Sequence, residues 1–138
     1  MQRPVGVRAL PIIAALVWAI ASACGSDSTA PNTSTSALIG TYDLASATFQ
    51  NQQAIGPPIA TGTLVLADST YIVTLTIPPD TTPVVDSGTY TVSGSSWTQT
   101  SKVQPVQSVG TYTLSHDTLS VNVTTLNMQV ATVWLKQP

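Results

Sequence analysis

Apolar and polar residues alternate one by one along most of the chain after residue 37. Leu119, Val121 and Val123 alternate with Ser120, Asn122 and Thr124. Tyr71, Val73, Leu75 and Ile77 share a face opposite Ile72, Thr74 and Thr76. Leu38, Gly40, Tyr42 and Leu44 make a third such series, and Tyr112 with Leu114 a fourth. A period of two is the mark of a half-buried strand, because successive strand side chains point to opposite faces. No segment here sustains a helical period, and Thr, Val, Ser, Tyr and Ile suit a pleated surface.

Turn-forming residues punctuate the alternation: 67–70 (ADST), 78–83 (PPDTTP), 93–96 (SGSS), 115–117 (SHD) and the proline-bearing 52–58. The runs between them predict eight strands, at 38–48, 59–67, 70–77, 84–92, 96–103, 106–114, 117–124 and 128–136. Short connections favour antiparallel neighbours. An all-β antiparallel meander of eight strands has two exposed edges. Closure into a barrel removes both, whereas an immunoglobulin-like sandwich, the alternative, must protect them. The barrel is the expected fold for a single domain over 37–138.

The first 36 residues read differently. Residues 1–8 carry Arg3 and Arg8, and 9–23 (ALPIIAALVWAIASA) form an apolar run ending in small residues. Fifteen such residues are too few for a membrane span, which needs roughly 20. A basic start, a short apolar run and a small-residue exit identify 1–23 as a secretory signal peptide. The exit, Ala21-Ser22-Ala23-Cys24, resembles the lipobox of bacterial lipoproteins, with Ala21 where leucine is favoured. That resemblance implies lipidation of Cys24, the sole cysteine, and a palmitate-type membrane anchor. Residues 25–36 (GSDSTAPNTSTS) contain nothing that could enter a core, so 24–36 read as the lipidated cysteine and a flexible tether. Gly25, rather than aspartate, after the cysteine implies the outer membrane over the inner one. The expected location is extracytoplasmic.

Composition narrows the function. Apolar residues make up 43% and charged ones 7%, and the mean hydropathy is positive, which predicts a folded core. Without residues 1–23, two lysines face six aspartates, a net charge of −4. Such a chain cannot neutralise a row of phosphates, so no nucleic-acid partner is expected. One cysteine excludes an intramolecular disulfide and a cysteine-based metal site. No calcium loop or phosphate-binding glycine loop is present, and no cofactor or metal is expected. His116 beside Asp117 reads as a solvated turn, not part of a catalytic triad, so the expected protein is not an enzyme.

Gly-Thr-Tyr-x-[Leu/Val] occurs at Gly40–Leu44, Gly88–Val92 and Gly110–Leu114, each placing a glycine, a tyrosine and an aliphatic on one face. The unequal spacing rules out a solenoid repeat. With 38–44 (LIGTYDL) and 110–123 (GTYTLSHDTLSVNV), the chain resembles small lipocalin-like domains behind lipobox cysteines. Tyr42 stands where lipocalins carry tryptophan. The resemblance implies a barrel that holds a small apolar ligand. The alternative function is a non-catalytic structural or protein-interaction module of the envelope. Tyr42, Tyr71, Tyr90, Trp97, Tyr112 and Trp134 are the candidate cavity or core aromatics. Eight short strands leave an interior that side chains can fill, and a filled interior is favoured over an open pocket. Trp97, flanked by Ser95, Ser96, Thr98 and Gln99, is expected to be the most exposed of the six.

Overall fold

A computed structural model describes residues 35–138. A helical turn, α1 (Thr35–Leu38), leads into eight strands: β1 (Gly40–Phe49), β2 (Thr61–Leu66), β3 (Thr70–Thr76), β4 (Val84–Ser93), β5 (Ser96–Ser101), β6 (Gln107–Ser115), β7 (Thr118–Thr125) and β8 (Met128–Lys136). Each strand pairs antiparallel with the next, and β1 pairs with β8 to close the barrel. The closing ladder runs from Tyr42 opposite Lys136 to Phe49 opposite Val130. Its register shifts between Leu44 and Ser46, a bulge at Ala45 that bends β1. Closure leaves no edge to protect and excludes the two-sheet sandwich.

The alternation read from the sequence becomes inside and outside. Leu119, Val121 and Val123 face in and are buried, as do Tyr42, Leu44, Leu64, Leu66, Tyr71, Tyr90, Tyr112 and Trp134. Leu38 departs from expectation. It ends α1 rather than starting β1, and is fully buried. The Tyr42 hydroxyl donates to the Leu38 carbonyl at 2.7 Å, which pins the helical turn to the end of the barrel where β1 begins. This turn also takes Thr35 and Ser36, which the sequence assigns to the tether.

The two ends of the barrel differ. One end carries α1, the C-terminus and the connections at 67–69, 94–95 and 116–117. It is packed solid. Tyr90 and Trp97 stack with centroids 4.8 Å apart and planes 13° apart, and Tyr112 tilts onto Trp97 at 5.8 Å and 60°. Such aromatic pairs add about 0.5–1.5 kcal/mol each beyond their burial. The Tyr90 hydroxyl donates to the Ala67 carbonyl at 2.7 Å, and the Lys136 ammonium lies 5.7 Å from the Tyr42 ring centre. The three tyrosines of the Gly-Thr-Tyr units therefore converge on one aromatic plug. Their glycines act on the wall. A Cβ at Gly88 would overlap the Thr100 carbonyl, and one at Gly110 the Asn122 carbonyl.

Because the atom in the way at Gly110 is backbone, Gly110→Ala must push β6 and β7 apart. It is expected to destabilise the barrel by about 1–3 kcal/mol. Urea unfolding followed by tryptophan fluorescence measures this.

Candidate functional site

The opposite half of the barrel is not filled. A cavity of about 120 Å³ lies there, walled by Leu64, Tyr71, Val73, Leu75, Val121, Val123, Val130, Thr132 and Trp134, with Trp97 and Gln99. Trp97 has the plug against it and borders this cavity, so it serves as the floor. The wall is apolar because β2, β3, β7 and β8 each bring aliphatic residues inward at period two. The few polar atoms are engaged. Trp97 Nε1 donates to Gln99 Oε1 at 2.8 Å, and Trp134 Nε1 donates to Thr132 Oγ1 at 2.8 Å. Among the described residues, no buried side-chain polar atom lacks a partner.

A second chamber, about 310 Å³, opens toward the mouth between the ends of β4, β5 and β6 and the β7–β8 turn. Gln99 borders both chambers. Val84, Val103, Val106, Leu126 and Met128 give it an apolar collar around Asp86, Ser101 and Ser108. Asp86 accepts from the Tyr71 hydroxyl at 2.8 Å and from the Ser101 hydroxyl. Ser101 Oγ in turn accepts the backbone N–H groups of Val103 (3.2 Å) and Gln104 (3.0 Å), which ties the β5–β6 connection to the site. Burial, then the Asp86 hydrogen bond and charge, hold the Tyr71 hydroxyl protonated far above its ordinary range.

Each connection of the mouth exposes an aliphatic residue among its polar ones. Ile59, Val84, Val103 and Leu126 are 63%, 65%, 60% and 72% exposed, one at or beside each of the four connections of this end. The short connections of the plugged end carry Asp68, Ser69, Ser95, His116 and Asp117 and expose no large aliphatic residue. Leu126 also adopts a positive φ of 46°, with Asn127 at 64°. That left-handed turn costs a leucine about 1–2 kcal/mol, so an exposed aliphatic is held there against its backbone preference. The β1–β2 connection folds over the rim, with Ala47 and Ile55 exchanging backbone hydrogen bonds of 2.7 and 2.8 Å.

The six aromatics divide between two roles. Tyr42, Tyr90 and Tyr112 belong to the plug; Tyr71 and Trp134 line the cavity; Trp97 touches both. Two expectations are corrected. Trp97 is 2% exposed, because period two turns it inward with Gln99 while Ser96 and Thr98 face out. The interior is filled only in the plugged half. His116 is exposed, in a positive-φ turn, with Ser115 Oγ 3.3 Å from its Nδ1. Cys24 lies outside the described residues. Sequence reasoning passed over Asp86, although it stands on the inward face of β4 two positions before Gly88. Among the described residues no group of three or more His, Cys, Asp or Glu could hold a metal ion, and no helix is long and apolar enough to cross a membrane.

No protein-family model matches the chain, and no curated protein matches it. Solved structures similar in shape include these three. The REP1-NXSQ fatty acid transporter is 12% identical over 75% of this chain and 98% of its own, with a TM-score of 0.43. Secretory abundant heat soluble protein 4 from Ramazzottius varieornatus is 14% identical over 72% and 94%, with a TM-score of 0.41. A mutant of the fluorescent protein UnaG is 13% identical over 72% and 96%, with a TM-score of 0.38. The fold of this chain rests on its own strand pairing: a closed, eight-stranded, up-and-down barrel, the architecture that lipocalins also use.

The plug titrates in one direction. Burial, and the charges of Tyr42, Asp68 and Tyr112, push the Tyr90 hydroxyl up to about 12, and burial with Asp117 also raises Tyr42. The folded state then holds these protons when the unfolded chain, at an ordinary 10.0, releases them. The stabilisation is complete below pH 10 and lost as pH rises toward about 12. Melting temperature is expected to fall through that window, and more shallowly in Tyr90→Phe.

Proposed function

We propose that this protein is a lipid-anchored, extracytoplasmic barrel that binds a small apolar ligand in its open half. The single observation that carries the ligand reading is the asymmetry of the interior. One half is plugged by aromatics, while the other keeps an apolar cavity bordered by a roomier, partly polar chamber. Packed cores leave few voids larger than a water, so a hollow confined to the mouth end supports a binding role. Size bounds the ligand. About 120 Å³ is close to the engineered cavity of ~150 Å³ that takes up benzene. The two chambers together come within the ~300–1,000 Å³ of ordinary ligand sites. The inner chamber suits a single ring or short branched chain, and the outer chamber a polar appendage.

The location reading rests on residues 1–25: a basic start, a short apolar run, small residues and a cysteine at the required position. Two or more acyl chains hold a protein stably at a membrane where one does so only marginally.

The exposed aliphatics of the mouth favour one second reading, a surface that packs against another envelope protein. Ile59, Val84, Val103 and Leu126 would then be covered by a partner rather than frame an entrance.

Two experiments separate these readings. Val73 is a half-buried lining residue, so Val73→Phe has room to fill the cavity. It is expected to weaken uptake of an apolar probe such as indole at least tenfold while keeping or raising the melting temperature. Unchanged uptake would favour the protein-interaction reading. In a bacterial host fed an alkyne-tagged palmitate, the label is expected on the wild-type chain and absent from Cys24→Ala. An unlabelled, freely soluble wild-type protein would remove the anchor.

A further inference from the structure

We infer that the ligand of this barrel carries a cationic amine, and that Asp86 receives it. The inference rests on the ligand-binding reading above and specifies its ligand class. Asp86 faces inward on β4, in period with Gly88 and Tyr90, at the collar of the outer chamber. Its carboxylate is held from two sides, by the Tyr71 hydroxyl and the Ser101 hydroxyl. Both donors are neutral, so the negative charge stays uncompensated. An ionised carboxylate offers roughly four acceptor sites, and two are taken.

Among the described residues no cationic side chain enters either chamber to answer that charge. Neither chamber is lined by lysine, arginine or histidine. Lys102 follows Ser101 on the same rim but is exposed and lines neither chamber, while Lys136 and His116 belong to the plugged end. Val84, Val103, Val106, Leu126 and Met128 line the same chamber as the carboxylate, so the apolar part of a ligand finds contacts beside the charge. A fixed carboxylate in such a mouth attracts an ammonium group through charge-assisted hydrogen bonds and repels another carboxylate. Tyr71 links the chambers chemically: its ring lines the inner cavity and its hydroxyl orients Asp86. A ligand with a compact apolar body in the inner chamber and an amine on a short arm in the outer one satisfies both. A fatty-acid-like carboxylate does not.

Three probes of nearly equal size test this by calorimetry or NMR titration of the full-length protein at neutral pH: 2-phenylethylamine, 2-phenylethanol and 3-phenylpropanoate. The amine is expected to bind about tenfold more tightly than the alcohol, and the carboxylate most weakly. Asp86→Asn, which keeps two polar atoms in place, is expected to reduce the amine to the level of the alcohol and leave the alcohol unchanged. Equal affinities for amine and alcohol, or preference for the carboxylate, would overturn the amine assignment while leaving the cavity as a binding site. Failure of all three to bind would overturn both. The amine-to-alcohol ratio of the unmutated protein decides the matter even if Asp86→Asn does not fold.

Discussion

The antiparallel pairing of β1 with β8 is the constraint from which the rest follows. An open eight-stranded sheet has two faces and two edges; a closed one has an interior and an exterior. Once Leu44 stands opposite Trp134 and Phe49 opposite Val130, every second residue of every strand is committed to the inside. The bulge at Ala45 bends β1 within that ladder. No disulfide assists, since the chain has one cysteine, so closure rests on backbone pairing and burial.

Closure alone does not decide what the interior holds. The inward positions near α1 are large aromatics: Tyr42, Tyr90, Trp97 and Tyr112. They fill that half, and each tyrosine of the Gly-Thr-Tyr units contributes one ring. The positions that wall the cavity are mostly valine, leucine and threonine beside Tyr71 and Trp134, and there the wall no longer meets in the middle. Trp97 stands where the two regimes join. The same gradient runs along the outside of the barrel ends, from Asp68, His116 and Asp117 to Ile59, Val103 and Leu126. A barrel that is sealed at one end and, at the other, hollow with exposed aliphatics at its rim has a direction.

Strand number, order and approximate limits were legible because alternation is a local signal that survives in a single sequence. Leu119, Val121 and Val123 announce their strand without help from any other element. What escaped is what depends on neighbours in space. Leu38 continues the alternation of β1 in sequence but ends a helical turn, because its carbonyl meets the Tyr42 hydroxyl. Trp97 sits in a polar neighbourhood along the chain, and only its pairing with β4 and β6 shows that Gln99, not Ser96 or Thr98, shares its face. Asp86 was hidden for the same reason. Its place inside the expected strand 84–92 shows no partner, until β3 and β5 bring Tyr71 and Ser101 against it. The tyrosines were visible as candidates, but their division between plug and cavity wall is a matter of height within the barrel. Alternation assigns a face and carries no information about height.

The barrel's interior is solid at one end and hollow at the other. Methyl-resolved NMR under xenon pressure tests it directly, because xenon enters dry apolar cavities and perturbs the methyl groups it touches. Shifts are expected at Leu64, Val73, Leu75, Val121, Val123 and Val130, with Leu38, Leu66 and Leu119 unmoved. Shifts spread evenly over both sets, or confined to the second, would mean that the interior is not divided in this way.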